Sequence, residues 1–386
     1  MENDTAIRDQ FFLDKDVIFF NHGAFGACPK PVFEDYQKWL LKLEKRPEEF
    51  LSRRLPEYIQ PARQALAEFL KVSGDNLVFI PNATTGMNIV ARSLSLGPGD
   101  EVLSTTHEYG AVDRTWRFIT SKRGARYRPV DVDLPCSDRE QFVEQFWQAV
   151  SPATRVISIS HVTSPTALIF PLKEICRRAR ERGIITVIDG AHAPGNIGLD
   201  IGALDPDFYT GNGHKWLCTP RGAAFLYARP DMQQMLEPLT VSWGYEAEHP
   251  GISTFQDYFH WVGTRDVCPY LTFPAALEFR RLHDWDRVRE RCRRLAAGAR
   301  ERMISELGLM PLSVDSGEWY GQMFALLFPN QVDIIALEEQ LLIRYNLEVS
   351  LQQWQEKQLI RVSIQAYNTA AEIDILIEAL AQLVSA

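Results

Sequence analysis

The chain has 386 residues, 46% hydrophobic and 24% charged, the balance of a globular protein with room for two domains and a sizeable core. A formal net charge of -9 argues against nucleic acid or an anionic membrane as partner, and the arginine-rich stretch 280–302 is interleaved with Asp and Glu, as on a solvated helix face. No run approaches the roughly 18 apolar residues of a membrane span. The start, Met1-Glu2-Asn3-Asp4, lacks a basic region followed by an apolar core, so a cytoplasmic protein is expected.

In chain order, residues 1–30 contain Gly23, Gly26 and Pro29 and read as an irregular segment running along a cleft of the domain that follows, at 31–266. A strand at 77–80 precedes a helix beginning near Thr85, and a strand at 101–104 follows the turn Gly97-Pro98-Gly99-Asp100. A strand at 155–160 precedes a helix at 172–182, and strands at 184–188, 207–210 and 223–228 come next. Strands alternating with helices predict an α/β fold with a mostly parallel sheet covered on both faces. After Gly263-Thr264-Arg265-Asp266 a long helix is expected from about Leu271, then a strand at 323–328 and a closing helix at 370–384, making a smaller α+β domain at 267–386. The six cysteines are scattered without a Cys-x-x-Cys pair, which predicts neither a disulfide framework nor a zinc site.

Two of these segments carry chemistry. The apolar strand at 184–188 delivers Asp189 at its C-terminal end, and Thr210-Gly211-Asn212-Gly213-His214-Lys215-Trp216 delivers a lone lysine from a Gly-rich turn. Ligands in open α/β sheets bind beyond the carboxyl ends of such strands. A lysine amine to hold an aldehyde as a Schiff base, with a carboxylate to keep a pyridine nitrogen protonated, is what pyridoxal 5'-phosphate (PLP) chemistry needs. Singly, such a lysine is more often a solvated surface residue and such an aspartate a cap or turn former; the reading rests on the pair. Pro81-Asn82-Ala83-Thr84-Thr85-Gly86-Met87-Asn88, between a strand and a helix, offers N–H groups and hydroxyls to a phosphate, although alone it would read as an ordinary helix cap. His161, closing the strand at 155–160, is either a site residue or a hydrogen-bonded core histidine.

These motifs, with Asp189-x-x-His192, Gly213-His214-Lys215, Arg361-Val362-Ser363 and Tyr367-Asn368-Thr369, resemble the class V aminotransferases of PLP fold type I. Phe20-Asn21-His22-Gly23-Ala24-Phe25-Gly26 and Trp261-Val262-Gly263-Thr264-Arg265-Asp266 resemble the isopenicillin N epimerase-like branch of that class, and the likeness runs from about residue 18 to 384. It implies a large domain on a mostly parallel seven-stranded sheet and a smaller C-terminal domain. It makes Lys215 the Schiff-base lysine and Asp189 the partner of the pyridine nitrogen, and puts His192 near the phenolic oxygen. Thr84, Thr85, Asn212 and His214 would hold the phosphate. Thr264 would reach the phosphate of a neighbouring subunit, which implies a homodimer with composite sites. Arg361 matches the arginine that takes a substrate α-carboxylate, a task its planar fork suits; Asn21, His22 and His161 are taken as further substrate-side residues. Tyr109, with His107 as second choice, would cover the face of the PLP ring opposite the lysine.

Cysteine desulfurases of this class use a loop cysteine shortly before that arginine, and residues 346–360 contain none, so persulfide chemistry is not expected. The resemblance implies an enzyme acting at the α-carbon of an amino acid or amino-acid-containing substrate, epimerase-like, with C–S lyase and aminotransferase as alternatives. Two readings from other classes stand beside it: a catalytically silent binding protein of the same fold, and a nucleotide-binding α/β protein using the Thr84-Thr85-Gly86 turn.

Overall fold

Strands that are hydrophobic at every position, rather than at alternate ones, need cover on both faces. The computed structural model, which describes residues 7–251 and 253–384, gives them that cover. Met1 to Asp4 lie outside the described residues. Near the N-terminus β1 (Ile18–Phe19) stands apart from the central sheet, which contains β2 (Leu77–Ile80), β3 (Glu101–Thr105), β4 (Arg126–Val130), β5 (Thr154–Ser160), β6 (Ile185–Asp189), β7 (Phe208–Asn212) and β8 (Ala224–Ala228). Among the described residues these form a seven-stranded sheet in the order β2-β8-β7-β6-β5-β3-β4. β8 runs antiparallel to both its neighbours, and the other pairings are parallel. Alternation along each strand divides the interior: Leu77 and Phe79 enter one core cluster and Val78 and Ile80 the other, as do Ile188 and Val187.

Three features depart from the expected elements. β4, Arg126-Tyr127-Arg128-Pro129-Val130, has no apolar run to mark it, and it sits at the sheet edge, where a proline and charged side chains are tolerated. The long helix expected from Leu271 is three helices, Cys268–Leu271, Phe273–Leu282 and Trp285–Leu307. Pro269 and Pro274 start the first two, and Asp284 turns the chain before the third with a left-handed backbone (φ 46°). The N-terminal segment is not wholly irregular: β1 pairs in parallel with β11 (Leu347–Glu348), and His22–Phe25 forms a short helix.

Downstream, β9 (Met310–Pro311), β10 (Met323–Leu327), β12 (Ser350–Trp354) and β13 (Lys357–Ser363) form an antiparallel sheet in the order β12-β13-β10-β9. The stretch 346–360 therefore folds largely as a hairpin in this sheet. Asn21 bridges to Ser363, tying the N-terminal segment to the end of β13 and bringing Arg361 toward the central sheet. The six cysteines are free thiols, and among the described residues no helix is long and apolar enough to cross a membrane.

Candidate active site

The carboxyl ends of the parallel strands open on one side of the sheet, and the loops leaving β2, β3, β5, β6 and β7 bound a cavity of about 380 Å³ there. Thr84, Tyr109, Asp189, His192, His214 and Lys215 all line it, as does Asn212. Residues that are far apart in sequence meet because β6 and β7 are adjacent and in register, with Asp189 paired to Thr210.

At the cavity floor Lys215 Nζ lies 3.0 Å from His192 Nε2. Loss of hydration and the nearby Arg361 cation bring the amine down to about 7, against the opposing pull of Asp189. Asp189 is buried and accepts a hydrogen bond from the Ala191 N–H at 2.9 Å. Burial pushes its carboxyl up, against the Ala191 N–H and the Lys215 charge; a bound cationic nitrogen beside it would work against that shift. His192 is held well below the usual histidine range by burial and then by the Lys215 and Arg361 charges, so it is a neutral imidazole.

The opposite wall is the start of the helix Ala83–Ser93. Asn82 caps it, accepting from the Thr85 N–H at 2.9 Å, which is why the helix begins two residues before Thr85. The Thr85 hydroxyl also goes to Asn82 Oδ1, at 3.1 Å, and Thr85 does not line the cavity: this residue serves the cap. Thr84 does line it. Asn212 Oδ1 accepts from the Ala83 N–H at 2.9 Å, locking the helix start to the end of β7. His214 lines the same wall, with Nδ1 3.3 Å from the Ala223 carbonyl oxygen. A helix N-terminus flanked by Thr84, Asn212 and His214 suits a phosphate.

Arg361 is buried and has no carboxylate partner among the described residues; its Nη1 donates to the Ser164 carbonyl at 2.5 Å and its Nη2 to Asn21 Oδ1 at 3.5 Å, while Nε is unpaired. Burial lowers it only to about 10, so it keeps its charge. That charge bears on Lys215, His192 and Tyr109. A buried unpaired cation is costly, and an anion delivered to it would be held strongly. A lysine amine, a buried carboxylate and a helix start lining one cavity, with the Arg361 cation held on its lining residue Ser164, fit an aldehyde, a pyridine nitrogen, a phosphate and a carboxylate.

Several expected residues lie elsewhere. His22 is fully buried behind the lysine: its Nδ1 meets Tyr367 Oη at 2.9 Å and its Nε2 the Lys215 carbonyl at 3.0 Å, while Ala24 and Phe25 line the cavity instead. His161 does not reach the cavity; it pairs with Tyr209 Oη at 3.0 Å and lines a different depression with Arg139 and Phe170. Its strand ends at Ser160, so the alternation of side chains sends Ser160, not His161, into the site. His107 is buried against Phe170 and Trp354 with Nδ1 on Thr166 Oγ1 at 2.8 Å, which leaves Tyr109 as the aromatic residue of that loop facing the cavity. Thr264 is exposed and outside the cavity lining of its own chain.

Two residues escape a reading of motifs. Arg221 lines the cavity from the turn before β8. Glu108 is buried beside Tyr109 and accepts from Thr105 Oγ1 at 2.7 Å, Ser160 Oγ at 2.6 Å and the Ser160 N–H at 3.2 Å. Burial raises it to about 7 against those donors. A charged residue directly before an aromatic in a turn gives no periodic signal; only the Thr-x-x-Glu spacing at 105–108 hinted at a local hydrogen bond.

The family model described as aminotransferase class-V matches residues 18–376. The isopenicillin N epimerase of Amycolatopsis lactamdurans is 37% identical over 388 residues, covering 97% of each chain. The hercynylcysteine sulfoxide lyase of Schizosaccharomyces pombe is 26% identical over 309 residues, 78% of each chain. Among solved structures, the K223A mutant of C-DES with glycine covalently linked to the PLP cofactor superposes with a TM-score of 0.83 at 23% identity, over 97% of this chain and 99% of that one, and so shares the fold. Sheet, cavity and sequence agree: the chain belongs to the class V aminotransferase family of PLP-dependent enzymes.

Proposed function

We propose that the protein removes the α-proton of an amino acid or an amino-acid-containing substrate and returns a proton to the opposite face, an epimerase of the kind named by its 37% identical relative. The observation that carries this reading is that Lys215 and Tyr109, from loops after different strands, line one cavity together with Asp189. PLP, when bound, supplies an aldehyde for the amine and a protonated ring that takes up the electron pair left by the α-proton.

The chain's own residues supply the rest. Lys215 would hold the aldehyde and then, released as a free amine, take the α-proton. Asp189, ionised beside a cationic ring nitrogen, would keep that nitrogen protonated. Thr84, Asn212 and His214 would seat the phosphate, and His192 would donate to the phenolic oxygen. Arg361 would fix the substrate carboxylate, with Asn21 holding one of its amino groups. Inversion needs an acid on each face: Lys215 would serve one face, and the Tyr109 hydroxyl is the candidate for the other. We further infer a homodimer in which Thr264 of each chain completes the phosphate site of the other.

A lyase is the second reading, favoured by the 26% identical sulfoxide lyase: it needs only the first base and a leaving group on the β-carbon. Incubation in deuterated water with enantiopure amino acids, including cysteine conjugates, separates the two. Inverted product carrying deuterium supports epimerisation, and pyruvate without inversion supports the lyase. Absence of exchange with amino acids and their peptides would overturn both. Borohydride treatment of the PLP-loaded protein should attach the cofactor at Lys215; recovery at another lysine would sink the site.

A further inference from the structure

Behind His192 stands Trp216, the residue after Lys215, with no solvent exposure and its indole N–H directed at His192 Nδ1 over 3.5 Å. The Arg280 Nη1 donor on the Trp216 carbonyl, at 3.0 Å, and the tilted packing of the His22 ring, 5.0 Å between centroids, leave the indole little freedom to turn. The distance is long for a hydrogen bond, but its direction settles a question of tautomer. An indole nitrogen only donates, so a proton on His192 Nδ1 would set two N–H groups against each other in a buried wall. His192 is neutral and carries one ring proton, which therefore belongs on Nε2, the atom 3.0 Å from Lys215 Nζ.

A donor at that position needs an acceptor. The free amine of Lys215 has a lone pair and the ammonium does not. We propose that Trp216, by setting the tautomer of His192, presents Lys215 with a donor that only its free amine can accept, and so acts as a positioning residue for the lysine's nucleophilic form. The proposal deepens the Lys215 reading given above and rests on it for its catalytic meaning.

Other groups bear on the same amine. Asp189 at the end of β6 favours the ammonium, while Arg361 on β13 disfavours it. His214 in the lysine loop and His22 in the N-terminal helix are both held near 4 by burial, so they are neutral at physiological pH. Among the described residues only the Trp216–His192 contact adds a directional preference to these through-space effects.

The test is a titration of Lys215 in the full chain freed of PLP, by competitive acetylation across pH with peptide mass spectrometry, on wild type, Trp216→Phe, His192→Leu and the double variant. Phenylalanine removes the N–H, so His192 can move its proton to Nδ1 and accept from an ammonium. The ratio of free amine to ammonium at pH 7 should fall about three- to tenfold, a midpoint shift of roughly half to one unit. In the His192→Leu background the tryptophan substitution should change nothing, because leucine has no donor or acceptor to relay the indole's preference. Nitrogen-15 histidine spectra should show a protonated Nε2 in wild type and a mixed tautomer in Trp216→Phe. If Trp216→Phe folds poorly, benzothienylalanine at 216 keeps the shape and exchanges N–H for sulfur. An unchanged midpoint and tautomer, or an equal shift in both His192 backgrounds, overturns the proposal. Borohydride capture at a lysine other than 215 would instead overturn the proposed function, and the cofactor-free titration would stand apart from that result.

Discussion

Asp189 shows how a residue's neighbours set its task. Alone in its cavity the carboxyl is pushed toward the neutral form by burial; opposite a pyridinium it would be ionised, and each would stabilise the other's charge. Asp189→Asn keeps the shape and removes the charge, so the variant should still retain PLP while α-proton exchange falls by about two orders of magnitude or more, in line with loss of a charged partner worth roughly 3 kcal/mol in the transition state. Near-normal exchange in deuterated water would remove Asp189 from the chemistry. Lys215 makes a pH prediction. With the amine at about 7, the ammonium dominates below neutrality and the free base above it. Uptake of PLP by the cofactor-free chain should therefore quicken about tenfold per pH unit on the acid side and level off above about 7. A profile still rising steeply to pH 10 would mean the lysine is not perturbed. The positions of both residues were legible in sequence because each stands at or just after a recognisable strand, whereas His22 and His161, singled out from segments of their own, face away from the cavity.

At the scale of elements, the helix Ala83–Ser93 joins stability to binding. Asn82 caps it and Asn212 holds its first N–H, so the same hydrogen bonds that start the helix also shape the proposed phosphate seat. Asn82→Ala should cost about 1 kcal/mol of folding stability, within the 0.5–2 range of cap removals, and weaken PLP retention. Denaturant melts with and without PLP read both effects, and a variant as stable and as retentive as wild type would make the cap irrelevant. Apolar periodicity revealed the buried strands, but it missed β4, whose polar sequence is permitted by its edge position. It also ran together the helices between 268 and 307, where two prolines open new helices that a helical pattern alone does not separate.

For the whole molecule, the cavity draws on the central sheet and on the N-terminal segment, and Arg361 on β13 adjoins it by donating to Ser164, a lining residue, and to Asn21. Thr264 remains outside the cavity lining of its own chain. If two chains complete each other, a dimer of one Lys215→Ala and one Thr264→Ala chain has one intact site. Refolding an equal mixture should then restore about a quarter of wild-type activity from two weakly active or inactive parents, since half the dimers are mixed. A fully active monomer at assay concentration would exclude the composite site. By itself the sequence determined the α/β class, where along the chain the buried strands lie, and that Asp189 and Lys215 follow two of them, because strand burial, turns and strand-end residues are written locally. Only the tertiary structure decided which strands are neighbours, that Ser160 rather than His161 enters the site, that Thr85 is spent on a cap, and that Glu108, Arg221 and Trp216 stand around the chemistry. Those outcomes depend on what packs against each side chain from distant parts of the chain, and no local pattern encodes that.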